Sequence, residues 1–91
     1  MPTIAITVRG RVQGVRFRAF VLREATALGL AGEVWNASSG DVEMLAVHAS
    51  NDVLSTFVDR LRLGPGHVQT VSWKDIDAGG LSQGFRISQT R

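Results

Sequence analysis

The chain has 91 residues, of which 44% are hydrophobic, and it contains no cysteine. This length and composition predict a single domain over residues 1–91. Without cysteine the chain cannot form disulfides, thiolate zinc sites or iron–sulfur clusters, and it cannot use a cysteine nucleophile. No stretch has the roughly 18 to 20 consecutive apolar residues of a membrane span, and no basic segment precedes the first apolar residues. We therefore expect a cytoplasmic protein without a membrane partner.

The charge is unevenly distributed. Ten Lys and Arg against eight Asp and Glu give a formal net charge of only +2. The segment from Arg9 to Arg23 contains five arginines and no acidic residue. Such a local positive field favours a small anionic ligand bound near this segment over a polyanion that covers the whole surface.

The first elements follow from the spacing of apolar residues. Residues 3–9 alternate between the two faces of a half-buried strand. Helical spacing covers residues 17–28, and Gly29 can take the left-handed conformation that closes a helix. Residues 32–36 and 41–49 are predicted to pair as a hairpin around a short turn.

A second helix and two further strands are predicted after the hairpin. The helix has three candidate caps, Ser50, Asn51 and Asp52, and its apolar stripe consists of Leu54, Phe57, Val58 and Leu61. Residues 68–76 form a strand whose apolar positions do not keep one parity, which indicates a bulge. Residues 85–88 form a short last strand after a turn at Gly79 and Gly80.

This order of elements is the split βαβ, or ferredoxin-like, pattern βαββαβ with an added short strand. We expect an α+β fold in which an antiparallel sheet carries both helices on one face. Because this architecture serves many unrelated tasks, it predicts no function by itself.

Residues 10–18, which join the first strand to the first helix, carry the most information about function. The free amides of the first helical turn, the helix dipole and the Arg18 guanidinium could converge there on one anion, such as a phosphate. Gly14 permits a turn that points successive N–H groups inward, and Arg18 can give a phosphate two parallel hydrogen bonds. From the residues alone, a glycine turn followed by a solvated arginine is an equally good interpretation.

Four segments have residues and spacing typical of one family. Residues 10–18 have the sequence Gly-Arg-Val-Gln-Gly-Val-Arg-Phe-Arg, and residues 25–30 fit the pattern Ala-x-x-Leu-Gly-Leu. Residues 32–36 fit Gly-x-Val-x-Asn, and residues 61–65 fit Leu-x-x-Gly-Pro. In these segments, which lie between residues 10 and 65, the sequence resembles the acylphosphatases. The family fold has the same βαββαβ order.

The resemblance implies an enzyme that hydrolyses the carboxyl–phosphate bond of an acyl phosphate, without metal, cofactor or covalent intermediate. Arg18 falls on the family's phosphate-binding arginine, and Asn36 falls on the asparagine that orients the attacking water. The phosphate-binding loop would comprise Gln13, Gly14, Val15, Arg16, Phe17 and Arg18. The implied partners are a small-molecule acyl phosphate, and inorganic phosphate or other small anions as product or inhibitor.

Asn36 also has a simpler interpretation, because asparagine is an ordinary residue at a strand end before a turn. Its position at the end of the second strand, in a fold that can bring it close to the Arg18 loop, favours the water-orienting role. The amide oxygen of Asn36 would then accept a hydrogen bond from the water, while the amide nitrogen faces the phosphate.

Three residues depart from the family pattern. Arg16 stands where glycine or an apolar residue is common, and it either adds phosphate affinity or is simply solvated. Trp35 stands where a polar or basic residue is common, and it either contacts the acyl group or covers the sheet. Ser39 replaces a frequent aspartate, which affects the hydrogen bonds of the turn more than the chemistry.

Other signals are weaker. His48 and His67 have no metal-ligand spacing, so no metal site is predicted. Asp75 and Asp77 have the Asp-x-Asp spacing of another phosphatase class, but too little chain follows them for its larger domain. Ser38 and Ser39 lack an evident histidine partner and are expected to be turn residues.

The alternative function is a non-catalytic ferredoxin-like module that binds anions or RNA. An RNA-binding sheet needs an aromatic-rich central strand, and residues 41–49 contain no aromatic residue. We therefore expect no nucleic-acid partner. A monomer is expected because the chain has neither heptads nor a long apolar edge.

Overall fold

A computed structural model describes residues 2–77 and 84–91 of the chain. The elements in these residues are β1 Thr3–Arg11, α1 Phe17–Ala27, β2 Ala31–Asn36, β3 Val42–Val47, α2 Asn51–Leu61, β4 His67–Asp75 and β5 Phe85–Ile87. The strands form one sheet in the order β4-β1-β3-β2-β5. The predicted βαββαβ order with an added short strand is confirmed, whereas the turn predicted at Gly79 and Gly80 lies outside the described residues. No helix in the described ranges is long and apolar enough to cross a membrane.

The sheet is mixed, which corrects the expectation of a wholly antiparallel sheet. β1 pairs antiparallel with both β3 and β4, and β2 pairs antiparallel with β3. The short β5 instead pairs parallel with β2, with Gly32 opposite Phe85. β1 and β2 are both antiparallel to β3, so both run opposite to β4. β5 also runs opposite to β4, and it joins the sheet beside β2 rather than beside β4. β5 and β2 therefore run in the same direction.

One hydrophobic core lies between the sheet and both helices. The predicted stripe of α2, Leu54, Phe57, Val58 and Leu61, is buried, as are Phe17, Val21 and Ala25 of α1. These side chains pack in one cluster with Ile4, Ile6, Val8, Val34, Val42, Met44 and Ala46 of the sheet. Both helices therefore cover the same face of the sheet, as predicted.

Hydrogen bonds at the helix ends confirm two sequence predictions. Ser50 is the residue that caps α2, since its hydroxyl accepts a hydrogen bond from the Val53 N–H at 3.4 Å. Gly29 closes α1 in the left-handed conformation, with φ of 72°. The Leu30 N–H then donates to the Ala25 carbonyl at 2.9 Å, which satisfies an otherwise free helix carbonyl.

β1 is longer than predicted and ends two residues later, at Arg11. Gly10 pairs with Val68, although Arg9 pairs with Thr70, so Gln69 is an extra residue in β4. This is the bulge that the irregular parity of β4 predicted. The pairing across the bulge keeps Gly10 and Arg11 in the sheet, so the loop before α1 is shorter than the sequence pattern indicated.

The topology brings two chain segments to one edge of the sheet. β1 and β2 both run antiparallel to β3, and therefore both end at the same edge. Val8 and Asn36 pair with the same residue, Val42, from its two sides. The loop that follows β1 and the residue that ends β2 are consequently neighbours.

Candidate active site

The loop between β1 and α1 contains two residues with left-handed backbone conformation. Gly14 has φ of 74° and Arg16 has φ of 64°. A Cβ atom on Gly14 would meet no heavy atom within 4 Å, so the conformation, rather than crowding, favours glycine there. Arg16 is the residue immediately before α1, and its carbonyl accepts the Phe20 N–H at 3.2 Å.

The backbone amides of this loop have no acceptor among the described residues. In the described part of the chain, no carbonyl or side chain accepts a hydrogen bond from the N–H groups of Gln13, Gly14, Val15, Arg16, Phe17 and Arg18. The first turn of α1 also has no acidic residue and no capping side chain. The positive end of the helix is therefore free to bind an anion.

A cavity of about 300 Å³ lies against these amides. Its lining consists of Val12, Gly14, Arg16, Phe17, Arg18 and Asn36. The structure thus brings Arg18 and Asn36 to one small cavity. Gln13 and Val15, which also belong to the predicted loop, are not among its lining residues.

A larger groove of about 650 Å³ is lined in part by Arg9, Asp41 and His67. Its cationic side chains are partly neutralised, because the Arg9 Nε lies 3.5 Å from the Asp41 carboxylate. The groove contains neither the free amides of the loop nor Asn36. The smaller cavity is lined by Arg18 and Asn36 at the start of α1, so it is the better candidate for the active site.

Arg18 is held by the backbone of a distant segment. Its Nη1 donates to the carbonyl oxygen of Ser88 at 3.3 Å, across 70 residues of sequence. No carboxylate forms an ion pair with Arg18 within residues 2–77 and 84–91. Since a guanidinium has five N–H donors, one bond to Ser88 orients the group and leaves other donors for an anion.

The side chain of Asn36 has a buried polar atom without a partner among the described residues. Its Oδ1 is buried and accepts no hydrogen bond from any described residue. Buried polar atoms are nearly always hydrogen-bonded, and leaving one without a partner costs about 1–3 kcal/mol. The position of Asn36 is nevertheless fixed, because its backbone carbonyl accepts the Arg91 N–H at 2.8 Å. This oxygen is therefore an unused acceptor on a residue that lines the cavity.

The side chain of Gln13 has a role that the sequence analysis missed. Its Nε2 donates to the carbonyl oxygens of Ala37 and Asp41, at 2.8 and 2.9 Å. These carbonyls belong to the turn that follows Asn36. Gln13 therefore fastens the loop before α1 to the β2–β3 turn, and no local sequence pattern reveals bonds between residues so far apart.

We expect Gln13→Met, which keeps the length of the side chain, to lower the free energy of unfolding by about 1–3 kcal/mol, because two carbonyl hydrogen bonds are lost. Urea denaturation followed by circular dichroism measures this change. The matched control is Gln69→Met at the exposed bulge of β4, which should leave stability within about 0.5 kcal/mol of the parent. Equal stabilities for the two variants would contradict the fastening role of Gln13.

The C-terminal residues continue along β2 beyond β5. The Ser88 N–H donates to the Val34 carbonyl, and the Ser38 N–H donates to the Arg91 carbonyl, at 2.8 and 2.7 Å. The side chain of Arg91 forms an ion pair with Glu33 and lies 4.0 Å above the ring of Trp35. Residues 88–91 therefore connect the backbone of Asn36 to the carbonyl that orients Arg18.

Glu33 anchors this C-terminal segment from the helix-free face of the sheet. Its side chain is only 7% exposed and also pairs with Arg86 at 2.8 Å.

We expect Glu33→Gln to lower the free energy of unfolding by about 1–2 kcal/mol, a modest loss because both arginines are half exposed and water can solvate them. Chemical denaturation should show this loss of stability. Calorimetric titration should show weaker binding of inorganic phosphate. The control Glu24→Gln removes a surface ion pair with Arg60 and should change neither the stability nor the phosphate affinity. Wild-type stability and phosphate affinity in Glu33→Gln would contradict the anchoring role of Glu33.

The three residues that depart from the family pattern lie in different environments. Trp35 covers the sheet and does not line the cavity, and its Nε1 donates to Glu43 at 3.0 Å. The hydroxyl of Ser39 accepts the Asp41 N–H at 3.4 Å, so this serine completes the turn. Arg16 is exposed at the rim of the cavity.

The histidine and acidic residues provide no competing metal site. His48 has a structural contact, since its Nδ1 accepts the Ser50 N–H at 2.9 Å. No group of histidine, aspartate and glutamate suited to holding a metal occurs in residues 2–77 and 84–91. The candidate site is therefore described by amides, a guanidinium and a carboxamide.

Comparison with known proteins gives a consistent result. The family model described as acylphosphatase matches residues 4–87. A curated acylphosphatase of Nitrobacter hamburgensis is 44% identical over 89 residues, which cover 92% of this chain and 89% of the relative. The acylphosphatase of Thermus thermophilus is 37% identical, with coverages of 96% and 99%. The crystal structure of the acylphosphatase from Bacillus subtilis superposes with a TM-score of 0.89 at 37% identity, over 97% of this chain and 99% of that one.

Proposed function

Because this chain belongs to the acylphosphatase family, we propose that Arg18, Asn36 and the loop amides of residues 13–18 perform its reaction. The enzyme hydrolyses the carboxyl–phosphate bond of an acyl phosphate, which yields a carboxylate and inorganic phosphate. The single observation that carries the residue roles is that Asn36, whose Oδ1 has no partner among the described residues, lines the same cavity as Arg18 and the start of α1.

Phosphate binding is the role of Arg18 and the loop. Amides without an acceptor among the described residues can each donate to a phosphoryl oxygen, and the dipole of α1 adds a partial positive charge. The Arg18 guanidinium can add two charge-assisted bonds in parallel geometry. Because these donors are already fixed by the fold, they stabilise the charge on the equatorial oxygens in the transition state without reorganisation.

Water positioning is the role of Asn36. The Oδ1 accepts a hydrogen bond from the water, and the Nδ2 can donate to the phosphoryl group. The water oxygen forms a bond to phosphorus, the bond from phosphorus to the acyl oxygen breaks, and its electron pair leaves with the carboxylate. A carboxylate is a good leaving group and the transition state is loose, so neither a strong base nor an acid is required. The proton of the water passes to the phosphate product or to solvent.

We expect the purified wild-type protein to hydrolyse benzoyl phosphate in the presence of excess EDTA, because fixed donors of this chain provide the charge stabilisation. The decrease in ultraviolet absorbance of the substrate measures the rate. A rate that disappears with EDTA and returns with a divalent cation would overturn the metal-free mechanism. Binding of inorganic phosphate without any turnover would instead identify an anion-binding module.

The rate should be nearly independent of pH between about 5 and 8, apart from the ionisation of the substrate. An arginine guanidinium keeps its charge throughout this range, and a carboxamide does not titrate. Measurement of kcat at saturating substrate in buffers of constant ionic strength tests this expectation. A bell-shaped profile centred near pH 6.5 would implicate a histidine and contradict the assigned roles.

The proposal also includes the form in which the enzyme acts. We propose a cytoplasmic, single-domain monomer that uses a small-molecule acyl phosphate and no nucleic-acid partner. The lack of cysteine and the single hydrophobic cluster of the described residues support this proposal. Analytical ultracentrifugation at two protein concentrations distinguishes the monomer from a reversible dimer.

A further inference from the structure

The larger groove, of about 650 Å³, has no part in the function proposed above. Its walls are residues 9–11 of β1, residues 39–41 of the β2–β3 turn, and His67 and Gln69 of β4. It shares no lining residue with the cavity of Arg18 and Asn36. A ligand bound in the groove would therefore contact a different set of residues.

Two arginines of the acid-free segment from Arg9 to Arg23 line this groove. Arg9 and Arg11 are exposed and stand two positions apart in β1, which is the spacing of side chains on one face of a strand. His67 is the residue paired with Arg11 across the two strands. No carboxylate forms an ion pair with Arg11 within residues 2–77 and 84–91. The groove thus offers guanidinium donors to the oxygens of a phosphate.

Asp41 adds one negative charge to this basic groove. Its carboxylate lies 3.5 Å from the Nε of Arg9, whose side chain is 64% exposed. An ion pair so exposed contributes little stability, so both groups can exchange it for bonds to a ligand. A carboxylate repels a phosphate but accepts hydrogen bonds from hydroxyl groups. The groove therefore combines donors for an anionic group with an acceptor for hydroxyl groups.

The rest of the lining favours a hydrophilic ligand. No aliphatic side chain, phenylalanine or tryptophan lines the groove, so its apolar surface consists of the carbon atoms of glycines and polar side chains. The alternating C–H and O–H groups of a polyol match such a surface better than the flat ring of a nucleobase, which binds by stacking on aromatic side chains. The exposed carboxamide of Gln69 can both donate to and accept from hydroxyl groups.

The bulge of β4 shapes this groove. The extra residue, Gln69, lies between Val68, which pairs with Gly10, and Thr70, which pairs with Arg9. Gly10 has φ of 131°, and a Cβ atom there would collide with the carbonyl of His67. Glycine thus lets β1 approach the bulge, and Gly10 and Gln69 both line the groove. Bulges are frequent beside functional sites, where they redirect side chains.

We propose that the larger groove is a second ligand site, which binds a phosphorylated polyol such as a sugar phosphate. Arg9 and Arg11 bind the phosphate group, and Asp41 and Gln69 bind hydroxyl groups. Binding is non-covalent and does not depend on the function proposed for the cavity of Arg18 and Asn36.

Nuclear magnetic resonance locates the bound ligand through the amide signals. The probe is sorbitol phosphate, and sorbitol is its uncharged counterpart. We expect sorbitol phosphate to shift the signals of Gly10, Gly40 and Gln69, and sorbitol at the same concentration to leave them in place. Shifts confined to residues 12–18 and Asn36, or no shift at all, would overturn the proposal. Tighter binding of adenosine monophosphate, read from the same three signals, would replace the polyol by a nucleotide and would also overturn it.

Arg11→Gln tests the phosphate contact. It should weaken the binding of sorbitol phosphate at the groove about 10-fold or more, because charge-assisted hydrogen bonds are lost. The matched control Arg62→Gln removes an exposed arginine at the end of α2 and should leave this affinity unchanged. Wild-type affinity in Arg11→Gln would overturn the proposal. Both variants should keep the wild-type kcat for benzoyl phosphate, so the result is independent of whether the cavity performs hydrolysis.

Asp41→Ala tests the polyol contact. The substitution removes the carboxylate and keeps the backbone carbonyl that accepts the Nε2 of Gln13. We expect the affinity for sorbitol phosphate, relative to that for inorganic phosphate at the same signals, to fall about 3- to 10-fold, because a hydroxyl acceptor is lost. The control Asp59→Ala removes an exposed carboxylate from α2 and should not change this ratio. A wild-type ratio in Asp41→Ala would overturn the assignment of a polyol.

Discussion

Replacing Arg18 with alanine should lower kcat/KM for an acyl phosphate at least about 10²-fold and weaken the binding of inorganic phosphate. The substitution removes the charged fork that Ser88 holds in place at the cavity. The loop amides remain, so a residual activity above the uncatalysed rate is expected. Initial rates over a range of substrate concentrations and calorimetric titration with phosphate measure the two effects.

Two further variants define what Arg18 contributes. Arg18→Lys keeps the positive charge without the planar fork, and it should recover only part of the lost activity. Arg62→Ala, at the exposed end of α2, removes an arginine from a place without free loop amides and should keep the wild-type rate. Wild-type turnover by folded Arg18→Ala would mean that the amides alone bind the phosphate, and would refute the role of Arg18.

For Asn36, the expected change is in the chemical step. Asn36→Ala should lower kcat about 10²-fold and leave KM within about a factor of three, because a water-orienting group acts on the transition state more than on substrate binding. The variant should be at least as stable as the wild type, since it removes a buried oxygen that has no partner among the described residues. Steady-state kinetics and thermal unfolding of the same preparation test both expectations.

The chain provides a matched control for this substitution. Asn51 is exposed at the start of α2, and Asn51→Ala removes the same carboxamide group far along the chain from the site. It should leave kcat and KM unchanged. If Asn36→Ala raised KM and left kcat unchanged, Asn36 would be a substrate-binding residue and the water-orienting role would be wrong.

Most of the fold could be predicted because it depends on local patterns. The apolar stripe of α2, the Ser50 cap and the left-handed Gly29 all follow from residues within one or two helical turns. The end of β1 could not be predicted in the same way. Gly10 interrupts the alternation, and it remains in the strand only because β4 bulges at Gln69 and pairs with it across the sheet.

The candidate site was predictable for a similar reason, and only in part. Arg18 and Asn36 each belong to a short motif, and the topology of the ferredoxin-like fold brings β1 and β2 to one edge. The contacts that position them involve the side chain of Gln13, the carbonyl of Ser88 and the backbone of Arg91. These contacts join residues that are far apart in sequence. They use backbone groups, which all residues have, and an ordinary glutamine side chain, so no sequence pattern indicates them.

The parallel pairing of β2 with β5 has a consequence for how the enzyme acquires activity as it folds. α1, β2 and β3 can associate through residues that are near in sequence, whereas Gly32 meets Phe85 only after a large loop of chain has closed. Arg18 obtains its anchor on Ser88 in that same long-range step. A chain in which the other strands are already paired therefore has most of its sheet and core before Arg18 is in position. With the role proposed for Arg18, recovery of turnover during refolding would report the pairing of β5 rather than the formation of the first strand pairs.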